Sequence, residues 1–191
     1  MGRKYASIFV RADAMNGEAL RSVWESANPM KPLAMPDPVS IMEKLGLGSD
    51  VDEKQAGVLR AIVSKFQEVA ARGASVAERG KAFVLDDTRL GFETVENAAL
   101  ALSAQIAPPV LFVAVYDDDV YIFGVCKAGA LLGKQVDGDS LSAYDLQRQS
   151  ISGEALAAFL GDEAAAACVG KHGQAMEAAL NAALGHALAK P

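Results

Sequence analysis

The stretch VLFVAVYDDDVYIFGVC, residues Val110 to Cys126, decides how this chain is read. Two runs rich in β-branched and aromatic residues, Val110–Tyr116 and Val120–Cys126, flank Asp117, Asp118 and Asp119. Such runs favour strands. Neither alternates apolar with polar residues, so each reads as a central strand with both faces covered. Aspartates between strands suit a tight turn, because their short side chains cap nearby backbone N–H groups. Val115–Ile122 is therefore expected to be an antiparallel hairpin with an acidic tip.

Further strands are expected near 5–11, 82–86 and 130–136. Between them lie helical patterns. Leu20, Val23 and Trp24 share a face over 17–26, and Val95, Ala98, Ala99, Leu102 and Ile106 share one over 93–106, before Pro108-Pro109 ends it. Asp37-Pro38 starts a short helix ending near Gly46 or Gly48, and an amphipathic stripe predicts a longer one over 52–72. The fold class is α/β or α+β: a small mixed sheet of strands near 5–11, 82–86, 110–116, 120–126 and 130–136, with helices packed on it. The whole chain, 1–191, reads as a single domain. It carries a Pro-rich loop at 28–40 and an Ala-rich helical segment at 152–189, broken by Gly161, Gly170 and Gly173. In the last helix Met176, Leu180, Leu184 and Leu188 recur every four residues. That seam reads first as core packing and second as a self-association surface.

Composition narrows the function. Of 191 residues, 51% are apolar and 22% charged, an ordinary globular balance that argues against bulk disorder. The net charge is −6 and the Lys and Arg residues are scattered, which speaks against nucleic-acid binding, since phosphate neutralisation needs a basic stripe. No run reaches the ~18 apolar residues of a membrane span. Tyr5–Val10 is too short for a signal peptide core and is ended by Arg11. A cytoplasmic protein is expected. Cys126 and Cys168 read as small core hydrophobes rather than a disulfide framework.

The diagnostic motifs fail. Gly46-Leu47-Gly48 lacks the third glycine of a dinucleotide fingerprint, because position 51 is Val51, and Gly80-Lys81 lacks the P-loop glycine at Ser75. His172 and His186 have no metal-ligand spacing, and no G-x-S-x-G elbow occurs.

One topological argument survives. Strand 82–86, helix 93–106 and strand 110–116 have the lengths of a crossover unit, which makes the two strands parallel if they share a sheet. Asp86, Asp87, Asp117, Asp118 and Asp119 then collect at one sheet edge. Ligands of open α/β sheets gather at such edges, and hard cations such as Mg²⁺ or Ca²⁺ want several carboxylate oxygens. The acidic turn is the simpler reading. Two functions follow: a non-enzymatic binding or regulatory protein that recognises a protein partner or a second copy of itself, and, as the alternative, a divalent-metal-dependent hydrolase or phosphoryl-transfer enzyme using those five aspartates.

Overall fold

In the computed structural model, which describes residues 4–27, 75–87 and 89–188, the two apolar runs form neighbouring antiparallel strands. Along the chain the strands are β1 (Lys4–Arg11), β2 (Ser75–Arg79), β3 (Ala82–Asp86), β4 (Val110–Tyr116), β5 (Val120–Lys127) and β6 (Ala130–Gly138). The helices are α1 (Gly17–Ala27), α2 (Val95–Ser103), α3 (Gly153–Leu160), α4 (Asp162–Cys168) and α5 (Gly173–Ala183). The Pro-rich loop 28–40 and the helices expected from Pro38 to Gly48 and over 52–72 lie outside the described residues.

The strands form one sheet in the order β2-β3-β1-β4-β5-β6. All neighbours pair antiparallel, so of the two expected classes the fold is α+β, with an antiparallel sheet. The reason is the place of β1. It lies between β3 and β4 and opposes both, so the two crossover strands are parallel to each other without being neighbours. β2 is an additional strand, too short and polar (SVAER) to stand out in the sequence.

Both faces of β4 and β5 are buried, as their apolar runs require. On one face Phe9, Leu111, Val113, Val115, Phe123 and Val125 form a core with Leu156 and Phe159 of α3, Cys168 of α4 and Met176 and Leu180 of α5. The opposite face packs against α1 and α2, which bury Leu20, Trp24, Val95, Ala98, Ala99 and Leu102. Each fully buried Leu or Phe contributes about 1.5–3 kcal/mol of transfer free energy. Met176, Leu180, Leu184 and Leu188 all belong to the first core, so the seam is internal packing, the first of its two expected readings.

The last helix is shorter than its pattern predicts. It stops at Ala183 because Gly185 and His186 turn into positive φ (66° and 68°) and Asn181 captures the chain that follows. The Asn181 carbonyl accepts from the His186 N–H (2.7 Å), and its side chain accepts from the Leu188 N–H (2.9 Å). Both cysteines are free and buried; burial, with a smaller effect of the Glu96 charge, pushes the Cys126 thiol up to about 12.

Gly124 sits directly opposite Phe112 in the β4–β5 ladder, and the Phe112 ring lies across it. A Cβ there would stand 2.3 Å from the ring. Gly124→Ala is expected to displace Phe112 from a filled core and cost about 1–3 kcal/mol of stability in urea unfolding. An unchanged midpoint would mean the ring is free to move.

Candidate functional site

The aspartates singled out from the sequence do reach one sheet edge, but in two separate groups. With β1 between β3 and β4, the ends of those strands lie two interstrand steps apart, roughly 10 Å. Because β1 runs the opposite way, its first residue fills the gap. Lys4 Nζ is 3.0 Å from Asp117 Oδ2 and 4.0 Å above the centre of the Tyr116 ring, a combined ion pair and cation–π contact. Tyr116 in turn packs edge-on against Tyr144 (5.1 Å between ring centres), with Phe92 beside both.

Asp117 and Asp118 are the turn the sequence suggested. Both have positive φ (54° and 60°), as a type I′ hairpin demands, and the Asp119 N–H closes it on the Tyr116 carbonyl (3.0 Å). On β3, Asp86 accepts from Ser7 Oγ at 2.6 Å and pairs with Arg79 at 3.2 Å. Asp87 is buried in an Asx turn: the Arg89 N–H and Nε donate to Oδ1 (2.9 and 2.8 Å) and Nη2 to Oδ2 (2.5 Å). Burial raises the Asp87 carboxyl, but the Arg89 hydrogen bonds outweigh it and hold the group below its usual 3.8. The Trp24 indole N–H, placed outside regular hydrogen-bond geometry, adds a smaller attraction. Among the described residues no group of three His, Cys, Asp or Glu side chains is arranged to hold a metal ion.

A second constellation was not legible in the sequence. Asp137, near the end of β6, is 3% exposed and receives an arginine and a histidine as partners. Arg148 Nη1 bonds its Oδ1, and the His172 Nδ1 lies 3.4 Å from its Oδ2. The Arg148 Nη2 also donates to the Gly138 carbonyl (2.9 Å), and Gln135 donates to the Lys171 carbonyl (2.9 Å). A carboxylate facing an imidazole is the orienting half of a catalytic triad. Here it fastens two connecting segments to β6, and neither cavity described next is lined by Asp137 or His172.

Those cavities lie at the other end of the sheet, where β1 finishes and β3 begins. One, of about 300 Å³, is lined by Arg11, Asp13, Lys81, Phe159 and Leu184. The other, of about 550 Å³, is lined by Asp162, Glu163 and Ala167 of α4. Lys81, Leu160, Ala164 and Ala183 line both, so they are two lobes of one groove with an apolar floor. None of the five aspartates belongs to it. Its wall is fixed by the backbone: the Lys81 N–H donates to the Leu184 carbonyl (2.9 Å), and the Ala12 N–H to the Lys81 carbonyl (3.0 Å). Gly80 allows this approach. Its φ is +58°, and a Cβ there would sit 2.2 Å from the Gly185 carbonyl oxygen. Arg11 is satisfied by Asp13 through Nε (2.9 Å) and Nη2. Lys81, Asp162 and Glu163 make no ion pair among the described residues.

Two outcomes test the acidic edge. Asp87 is held below its ordinary value, so its stabilising contribution is full above about pH 4 and fades as pH falls through its folded-state value. The loss of stability in Asp87→Asn should therefore be larger at about pH 6 than at about pH 2.5 in urea unfolding, and a pH-independent penalty would refute the assignment. With Asp86, Asp87 and Asp117 held by Arg79, Arg89 and Lys4, calorimetric titration with Mg²⁺ or Ca²⁺ should give no saturable heat. Saturable heat that disappears in Asp118→Ala would restore a metal role. Comparison with known proteins names no relative: no family model, curated protein or solved structure matches the chain.

Proposed function

We propose that this chain is a non-enzymatic cytoplasmic binding protein whose ligand occupies the groove between the β1 and β3 ends of the sheet and α3, α4 and α5. The observation that carries this reading is the contrast between the sheet's two ends. At the acidic edge Asp86, Asp87 and Asp117 are engaged by the chain's own cations. At the groove, Leu160, Ala164 and Ala183 lie beside Lys81, Asp162 and Glu163, which make no ion pair among the described residues. Binding sites commonly combine apolar walls with a few placed polar groups. Two free, buried thiols suit a reducing compartment, and no helix among the described residues is long and apolar enough to cross a membrane.

The test uses 1-anilinonaphthalene-8-sulfonate, which has an apolar ring system and one anionic group. Its fluorescence should rise saturably with the native chain at one site. Ala164→Phe, which fills the floor shared by both lobes, should lower the affinity at least ~10-fold while leaving the unfolding curve cooperative. Equal binding by a folded Ala164→Phe variant would place the ligand elsewhere and refute the reading.

A further inference from the structure

We propose that the groove is selective for a small linear zwitterion, its carboxylate directed to Lys81 and its ammonium to Asp162 and Glu163. The inference rests on the groove being the binding site and adds the chemistry of its ligand. The groove carries charges of both signs, and Lys81 lines both of its lobes. In the smaller lobe Arg11 is already cancelled by Asp13, which leaves Lys81 as the cation without an internal partner among the described residues. In the larger lobe the charged side chains besides Lys81 are Asp162 and Glu163. A ligand in the larger lobe thus meets Lys81 together with two carboxylates, and one that extends into the smaller lobe still has Lys81 beside it.

The surface between these charges is apolar. Leu160, Ala164 and Ala183 are common to the two lobes, with Ala167 continuing the floor beneath the acidic residues. Small side chains at 164 and 183 leave room on the lining common to both lobes. An anion alone would satisfy Lys81 and face two carboxylates beyond it. A cation alone would satisfy the carboxylates and be repelled by Lys81. A molecule bearing both, separated by an alkyl spacer, answers every charge.

Asp162 and Glu163 also stand in the first turn of α4, where acidic residues favour any helix. That local role accounts for their presence there. It does not account for a lysine that shares their cavity and makes no ion pair among the described residues, and this meeting of opposite charges beside Leu160, Ala164 and Ala183 is what points to a zwitterion.

Three probes of equal carbon number separate the contributions: 6-aminohexanoate, hexanoate and hexylamine, titrated into isotopically labelled full-length chain while amide NMR shifts are followed. 6-Aminohexanoate should shift the amides of Lys81 and of 162–164 together and saturably, at least ~3-fold more tightly than either singly charged probe. Lys81→Gln should erase its advantage over hexylamine, and Glu163→Gln should reduce its advantage over hexanoate. If hexanoate or hexylamine binds the same amides as tightly as 6-aminohexanoate, the groove binds but is not a zwitterion site, and this inference falls alone. If no probe shifts those amides, the groove reading falls with it.

Discussion

Everything in this molecule follows from the intercalation of β1 between β3 and β4. The strand is apolar over Ile8–Val10 and carries a cation at each end, Lys4 and Arg11. Pairing with β3 through Ile8–Arg11 and with β4 through Lys4–Val10, it closes the middle of the sheet and makes every neighbour antiparallel. Its two cations then meet different fates. Lys4 enters the gap between the acidic groups and binds Asp117. Arg11 emerges at the far end, binds Asp13 and becomes part of the groove wall. One strand thereby quiets one end of the sheet and builds the other.

What the sequence made legible is what local pattern encodes. The unbroken apolar runs of β4 and β5 implied cover on both faces, and helices lie on both. The Asp-rich junction implied a turn, and the positive φ of Asp117 and Asp118 is its backbone signature. Strand order is not a local property. Nothing in KYASIFVR says that it sits between β3 and β4 rather than at an edge, and the separation of the acidic groups depends on that alone. The groove was illegible for the same reason: Arg11, Lys81, the pair Phe159 and Glu163, and Ala183 come from four separate stretches of the chain. Asp137 was hidden differently. In the sequence it is one acid at the polar end of a strand, and only the arrival of Arg148 and His172 allows a carboxylate to be buried there.

The C-terminal helices are held to the sheet by more than apolar area. Tyr5 donates to Glu177 at 2.6 Å, Gln135 to the Lys171 carbonyl, and the Lys81 N–H to the Leu184 carbonyl. Area burial is non-directional and would tolerate sliding of the helices across the sheet. Hydrogen bonds with fixed partners do not, because sliding would break them at buried polar groups such as Glu177. These pins hold α5 and its two flanking segments against β1, β6 and the β2–β3 turn, and so fix the Leu184 side of the groove.

A preformed groove matters because binding must offset the cost of ordering whatever moves. The Lys81 backbone is bonded on both sides, to Leu184 and Ala12, so the segment that presents its side chain is already in place. Gly80 makes that possible at a position where any side chain would collide with the Gly185 carbonyl. The acidic edge has the reverse economy: a cation arriving there would have to displace Lys4, Arg79 or Arg89 from short contacts before gaining any of its own. Self-neutralised charge contributes to stability and little to recognition, whereas unpartnered charge over an apolar floor is available to a ligand. By that physical criterion the Lys81 end of the sheet is the proposed ligand surface, and the acidic edge is not.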